Sequence, residues 1–256
     1  DRKRLRRWHP KAWFLWFTDW LCCRLCSKVL LDTEEHAEYF HKTFGVPTEK
    51  ILALPIGCRT DLFVPLEPGT SKIFLVEFHG TFIPLQGVDV ILQAAAILQK
   101  WEPDIRFVVA GTGQTYMAMF ALAQKLGLKT VEFRGAMRME DLPRLLSIAD
   151  VCLGIFGTTE KADRVIPNKA YEVLNAARPL ITGNTAAARR VQKHETYALL
   201  LPPGDPKALA DAIVRLREDE ALRTTIAKNG WALSLKKFQP KAITEPLKAW
   251  LTENIG

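Results

Sequence analysis

The 256-residue chain has little of what a disulfide-stabilised or metal-binding protein needs. It contains five cysteines, an odd number without regular spacing, which argues against a disulfide framework and favours a reducing compartment. Cys22, Cys23 and Cys26 are close together, but no second cysteine or histidine cluster offers the remaining ligands of a zinc site. An Asp-X-Asp metal motif is also absent from the sequence. We therefore expect no metal, and buried helix thiols at these positions.

The sequence also lacks an uninterrupted apolar run of about 20 residues, which a membrane-spanning helix requires. Residues 12–31 are rich in apolar side chains, but Asp19, Arg24 and Lys28 interrupt them, and no signal peptide is evident. The tryptophans and phenylalanines of this stretch follow a cluster of basic residues. This combination predicts peripheral contact of residues 2–20 with a membrane surface, or packing of the same helix on a partner.

The net charge of +7 favours anionic partners such as phosphates, nucleic acid or an acidic membrane. The excess is concentrated in the basic cluster near the start of the chain, and the remainder is close to balanced. Nucleic-acid binding would depend on that cluster alone, and a membrane explains the adjoining tryptophans better. We expect no nucleic-acid partner, and a cytoplasmic location at the inner face of the membrane.

From residue 73 onward, apolar strands alternate with helices whose apolar residues follow the 3.6-residue helical period. This alternation predicts an α/β fold, a Rossmann-like doubly wound parallel sheet with helices on both faces. Ligands bind such sheets beyond the carboxyl ends of the strands, where the strand order reverses. Gly, Thr, Arg, Asn and Lys are found in the loops at those ends, so we expect the binding site there.

The segment from Arg164 to Glu172 joins two apolar strands and is predicted to begin a helix. Pro167 suits the first turn, because its missing N–H would be unpaired there anyway. Asn168 and Lys169 then lie where backbone N–H groups and the helix dipole favour an anion. With the Glu172 carboxylate to accept hydroxyl groups, this arrangement suits a sugar nucleotide. The alternative is a helix cap with a solvated ion pair.

A nicotinamide-dependent dehydrogenase is disfavoured. Gly111-Thr-Gly113 follows a predicted strand, but the third glycine of the Gly-X-Gly-X-X-Gly motif does not follow at the required spacing.

Several short motifs occur in a characteristic order: His79-Gly80-Thr81, Gly87 before a helix, Gly111-Thr-Gly113, Phe133-Arg-Gly135, Tyr171-Glu-Val-Leu174 and Pro179-Leu-Ile-Thr-Gly183. Over residues 28–256 this order resembles the donor-binding half of a retaining glycosyltransferase of family 4, of GT-B type. The resemblance implies transfer of a hexosyl group from a nucleotide-diphosphate sugar to a glycan or lipid-linked acceptor hydroxyl. It also implies retention of configuration, no cofactor, and a role in cell-surface or lipid-linked glycan synthesis.

The resemblance also implies a domain organisation. Residues 1–65 correspond to the end of the acceptor-side domain, itself Rossmann-like, with its linker. Residues 66–238 correspond to the nucleotide-sugar-binding domain and residues 239–256 to a terminal crossover helix. Because the chain opens without methionine, we expect it to be the carboxyl-terminal part of a longer protein and inactive alone.

Five predicted site residues lie in glycine-bearing loops. The resemblance assigns contact with the donor diphosphate to Gly80, Thr81 and Gly87, since glycines allow close backbone approach. It assigns the border of the nucleotide to Gly111 and Gly113. For each glycine the alternative is a tight turn that binds nothing.

Two further residues are assigned to the nucleoside. Arg134 lies at the end of the strand beside the base. Glu172 matches the second carboxylate of a Glu–seven residues–Glu signature, which accepts hydrogen bonds from the ribose hydroxyls.

The sequence departs from the family at the diphosphate. Thr81 and Gln86 stand where Arg and Lys are customary, and Arg164 replaces the first Glu of the signature. We predict a relocation, in which Arg164 and Lys169 act as the catalytic cations from the helix side, with Lys161 as a candidate third. Otherwise the protein is a non-catalytic nucleotide-sugar-binding or scaffold protein with a degenerate site.

Overall fold

The computed structural model of the chain describes residues 9–67, 69 and 73–255. The basic residues at positions 2–7, part of the predicted membrane contact, lie outside the described residues. Within that part of the chain, no helix has the length and apolar character needed to cross a bilayer.

The described residues form eight strands: β1 (Val29–Leu31), β2 (Ile51–Ala53), β3 (Phe74–His79), β4 (Ile105–Ala110), β5 (Val131–Gly135), β6 (Val151–Leu153), β7 (Leu180–Gly183) and β8 (Leu199–Leu201). The α-helices are α1 (Pro10–Leu25), α2 (Glu34–Phe44), α3 (Val88–Leu98), α4 (Tyr116–Lys125), α5 (Leu142–Ile148), α6 (Glu160–Arg164), α7 (Asn168–Asn175), α8 (Ala186–Val191), α9 (Pro206–Glu218), α10 (Glu220–Lys237) and α11 (Pro240–Ile255). Short 3₁₀ turns occur at Thr48–Lys50, Pro84–Gln86 and Met139–Asp141.

The main sheet has six parallel strands in the order β5-β4-β3-β6-β7-β8. The chain adds β4 and β5 on one side of β3, then returns to place β6 on the other side. The direction in which strands are added therefore reverses between β3 and β6. The loops that follow these two neighbouring strands lead to opposite sides, which leaves a crevice between them. The predicted α/β doubly wound parallel sheet is confirmed.

The two faces of β3 differ in chemistry because successive side chains point to opposite faces. Val76 and Phe78 join the large core formed with α3 and α9, where both are fully buried. Each such side chain contributes about 1.5–3 kcal/mol to folding through its burial. Glu77 and His79 alternate with them and are also buried. Two titratable side chains thus lie within the sheet at the switch point.

Residues 29–53 form a separate two-stranded parallel sheet, β1-β2, beside α1 and α2. Helix α2 begins after Thr33, whose side chain accepts a hydrogen bond from the N–H of His36, and ends at Gly45. Helix α11 returns to this sheet, where Lys28 Nζ lies 5.5 Å from the centre of the Trp250 ring. The domain limits at residues 65 and 238 stay a prediction.

The structure differs locally from the expected elements, chiefly around the segment from Arg164 to Glu172. Pro167 precedes the helix as its N-cap residue in an extended conformation, and α7 begins one residue later at Asn168. The loop expected before it contains the short helix α6, whose start is capped by the Thr159 side chain. Upstream, the apolar run at residues 50–57 predicts a longer strand, but only Ile51–Ala53 pairs with β1.

Candidate functional site

A cavity of about 230 Å³ opens at the carboxyl ends of β3, β4 and β5. It is lined by the last residues of β3 and β4, by the loops that follow the three strands and by the start of α5: His79, Gly80, Thr81, Ala110, Gly111, Thr112, Ala136, Met137 and Leu142. Three predicted site residues, Gly80, Thr81 and Gly111, are therefore brought together. The cavity lies where ligands bind open α/β sheets.

The two glycine-bearing loops pack directly on each other through their backbones. The Phe82 N–H donates to the Thr112 carbonyl at 2.9 Å, and the Thr115 N–H donates to the Phe82 carbonyl at 3.0 Å. A Cβ atom on Gly111 would lie 1.9 Å from the Gly80 carbonyl oxygen, and one on Gly113 would lie 2.7 Å from the Phe82 nitrogen. Contact between the loops is thus sufficient to require glycine at both positions.

Gly87 has a similar explanation. A Cβ atom there would lie 2.6 Å from the Gly157 nitrogen, in the loop that follows β6. Gly87 does not line the cavity. For Gly87, as for Gly113, backbone packing accounts for the glycine, while the predicted ligand contact stays a prediction.

Lys169 is buried directly behind the Gly80 loop, with 4% of its surface exposed. Its Nζ donates to Gln86 Oε1 at 2.6 Å and to the Gly154 carbonyl at 3.3 Å. A Cβ atom on Gly80 would lie 3.0 Å from the same nitrogen. The Lys169 ammonium group thus contacts Gln86, the residue at the position where the resembled family has a lysine.

The surroundings of Lys169 change its proton affinity. Burial lowers its pKa to about 7, although the nearby Glu77 and Glu172 carboxylates favour the charged form. The Nζ atom also lies 3.5 Å from the centre of the Phe78 ring, whose face attracts a cation. Because the pKa stays well below the ordinary lysine value, the folded protein gains no net stability from the buried charge.

His79 connects two buried carboxylates. Its Nδ1 lies 2.8 Å from Glu77 Oε1, and its Nε2 lies 2.7 Å from Glu172 Oε2. Burial opposes a charge on His79, but Glu77 and the hydrogen bonds to both carboxylates raise its pKa to about 9. The ring is therefore an imidazolium near neutral pH and donates at both nitrogens. Glu172 is held from inside the protein rather than solvated.

Lys169 and Glu172 lie behind the cavity and are not among its lining residues. Three other predicted site residues lie farther away or point elsewhere. The Arg164 guanidinium stacks 4.2 Å from the centre of the Tyr39 ring on α2. Arg134 Nε donates to Glu132 Oε1 at 2.7 Å, beside a separate cavity of about 550 Å³ on the sheet face. Asn168 is exposed at the start of α7. Their assigned contacts with a ligand stay predictions, and among the predicted cations Lys169 is the one at the Gly80 loop.

The role of Glu77 and the bridging position of His79 were not anticipated from the sequence. A usable signal was present, because Glu77 and His79 are two residues apart in an otherwise apolar strand and so share one face. Two titratable groups on one face of a central strand are expected to have partners, since unpaired buried charges are costly.

The comparison with known proteins places this site in a family. Residues 74–219, more than half of the chain, match the glycosyl transferases group 1. The chain is 27% identical to an alpha-D-kanosaminyltransferase from Streptomyces kanamyceticus. That alignment covers 97% of this chain and 67% of the relative. It is 28% identical to the lipopolysaccharide core biosynthesis glycosyltransferase LpsD from Rhizobium meliloti, in an alignment that covers 75% of this chain and 51% of LpsD.

A solved structure shares the fold. The complex of Anabaena Alr3699/HepE with UDP and glucose superposes with a TM-score of 0.79 at 20% identity, over 91% of this chain and 64% of that chain. The chain thus spans half to two thirds of the length of these proteins. The family match covers β3 to α9, the strands and loops that build the cavity. This chain belongs to the glycosyl transferases group 1 family.

Proposed function

We propose that the cavity binds the diphosphate and nucleoside of a nucleotide-diphosphate sugar, as the donor half of a retaining family 4 hexosyltransferase. The observation that carries this proposal is the buried Lys169 ammonium behind the Gly80 loop, at the switch point between β3 and β6. A positive charge there lies beside the position that the fold reserves for phosphate groups.

Energetics support a functional role for Lys169. A buried lysine whose pKa falls to about 7 lowers the stability of the fold at neutral pH, so packing alone does not account for it. A diphosphate carries about two negative charges and would stabilise the ammonium, with about 1.5–3 kcal/mol for each charge-assisted hydrogen bond. In addition, the N–H groups of Thr81 and Thr112 are not bonded to any acceptor in the described part of the chain.

The proposed reaction develops charge on the leaving diphosphate. The bond between the sugar C1 and the diphosphate oxygen breaks, and its electron pair stays on that oxygen. The acceptor hydroxyl oxygen forms the new bond to C1 on the same face, and its proton passes to the leaving diphosphate. Lys169 and the loop N–H groups would stabilise this charge as preorganised donors, which is commonly the largest catalytic contribution.

The names of related proteins support the proposed substrates. LpsD acts in lipopolysaccharide core biosynthesis, and the HepE complex contains UDP and glucose. We therefore propose a sugar nucleotide as donor and a cell-surface or lipid-linked glycan as acceptor.

The proposal predicts that one class of nucleotide sugar raises the melting temperature of the protein. UDP-, GDP- and ADP-glucose are compared by thermal shift, because a ligand that binds only the folded state must stabilise it. At about 100 times the dissociation constant the gain is about 2.7 kcal/mol. No shift with any nucleotide sugar would contradict the proposal. Binding without sugar transfer or hydrolysis by the full-length protein would favour the non-catalytic alternative.

We also propose that α1 attaches the protein to the cytoplasmic face of a membrane. Its large side chains are unusually exposed, with Trp13 at 69% and Phe14 at 64%. Changing both to serine is expected to reduce cosedimentation with vesicles of anionic lipid about tenfold or more, since each buried large side chain contributes about 1.5–3 kcal/mol.

The matched control for this prediction is Trp101→Ser. Trp101 is 80% exposed after α3, remote in sequence from the aromatic helix, so its loss should leave vesicle binding unchanged. Equal cosedimentation of wild type and the α1 variant would instead indicate that α1 packs on a protein partner.

A further inference from the structure

The Glu77–His79–Glu172 arrangement is not required by the catalytic steps proposed above. Glu77 is fully buried in the middle of β3, and His79, at the end of that strand, lines the cavity. Glu172 belongs to α7, which packs on the same face of the sheet, so the histidine joins a strand to a helix. An ion-pair chain of this kind fixes the position of its last carboxylate.

Only one oxygen of Glu172 is used by this chain of contacts. His79 Nε2 donates to Oε2 at 2.7 Å, and no described residue donates a hydrogen bond to Oε1. The Glu172 side chain retains 11% of its exposure, so the site is not sealed from a ligand. A carboxylate with one oxygen held in place and the other without a donor can accept a hydrogen bond from a hydroxyl group.

We infer that His79 is a positioning residue, which is anchored by Glu77 and holds one oxygen of Glu172 so that the other accepts a ribose hydroxyl of the bound nucleoside diphosphate. The inference rests on the proposed function and deepens it, because it names the group that fixes the ribose contact. Glu77 orients the ring from the far side through its own hydrogen bond to Nδ1.

The arrangement explains why a buried histidine is retained beside Lys169. Two carboxylates and two basic groups lie together, and all four residues are buried. The His79 ring lies between the two carboxylates and hydrogen-bonds to both, so its positive charge offsets their mutual repulsion. The charge-assisted hydrogen bond from the imidazolium holds the Glu172 carboxylate in one orientation.

The experiment compares ribose with 2′-deoxyribose ligands. The probes are UDP, GDP and ADP and the 2′-deoxy counterpart of each, with affinities measured by calorimetry for wild type, His79→Phe and His79→Gln. We expect wild type to prefer the ribose form of its nucleotide about tenfold, the worth of one charge-assisted hydrogen bond. The preference should fall to about twofold in His79→Phe. His79→Gln should lie between, because its amide N–H₂ can still donate to Glu172.

The outcomes separate positioning from a structural role. A loss of folding alone would weaken both members of each pair equally, whereas loss of the ribose contact weakens only the ribose form. Melting temperatures of both variants identify unfolded material, and His79→Gln preserves the test if His79→Phe does not fold. An unchanged ribose preference in a folded variant overturns the inference alone. Failure of all three diphosphates to bind wild type overturns the proposed function, and the inference with it.

Discussion

Lys169→Met is expected to weaken the binding of the preferred nucleotide sugar by about 10- to 100-fold, which corresponds to the loss of one charge-assisted hydrogen bond. Methionine has nearly the length of lysine and fills the space behind Gly80 without the ammonium group. In the full-length protein the catalytic rate should fall at least as much, if the same charge stabilises the leaving diphosphate.

The stability of Lys169→Met is not expected to decrease, although its affinity for the nucleotide sugar does. Burial lowers the pKa of Lys169 to about 7, so removing the amine removes a group that the folded state holds at a cost. The melting temperature of the variant without ligand should therefore equal or exceed that of wild type. Lys125→Met, at the exposed end of α4, is the matched control and should bind normally. Unchanged affinity in Lys169→Met would remove the main support for the proposed site.

The same residue predicts a pH dependence. Free protein with a Lys169 pKa of about 7 is mostly neutral at this site at pH 8, and a bound diphosphate favours the ammonium. Affinity should therefore fall as pH rises from 7 to 8.5, with proton uptake on binding. His79 stays largely protonated over this range because its pKa is about 9. Calorimetry in buffers of different ionisation enthalpy measures the uptake, which should vanish in Lys169→Met.

Gly111→Ala is expected to destabilise the fold by more than about 3 kcal/mol. The new Cβ would lie 1.9 Å from the Gly80 carbonyl oxygen and 2.9 Å from the Gly80 carbonyl carbon, and both are backbone atoms. The residue also has a φ of +128°, which side chains other than glycine rarely adopt. Backbone strain costs about 1–3 kcal/mol and overpacking a similar amount, so the sum is a large part of a typical domain stability.

Gly127→Ala separates these two contributions. Gly127 has a φ of +61°, but nothing lies within 4 Å of its added Cβ. Its cost should be limited to about 1–2 kcal/mol of left-handed strain. Urea unfolding of both variants and wild type measures the difference. If Gly111→Ala unfolded at the same urea concentration as Gly127→Ala, the close packing of the two loops would not determine stability.

Much of the architecture could be predicted from local patterns. Helix α2 follows from the Thr33 cap and the Gly45 stop, and α3 from its apolar period, because these signals lie within one element. The position of Lys169 at the Gly80 loop was also accessible, since both follow strands that meet at the switch point. Local sequence patterns are thus sufficient to predict which residues lie close together when the order of the strands alone brings them there.

The directions of long side chains could not be predicted in this way. Arg164 was expected at the diphosphate, but its guanidinium reaches the Tyr39 ring on another helix. Arg134 pairs with Glu132, two residues earlier on the same strand. Both outcomes depend on competing partners that only the assembled fold brings within reach. The bridge through His79 required a contact between residues 93 positions apart, which sequence spacing does not encode.

The backbone contact between the Gly80 and Gly111 loops has a consequence for the pocket. That part of the pocket wall is built from main-chain atoms. Its shape therefore depends little on which residues are present at the positions of Thr81 and Gln86. A substitution that removes or adds a charged side chain on either loop would therefore change the electrostatics of the pocket and leave its contour in place. In a scaffold of this kind the shape of a pocket and its charge can vary independently of each other.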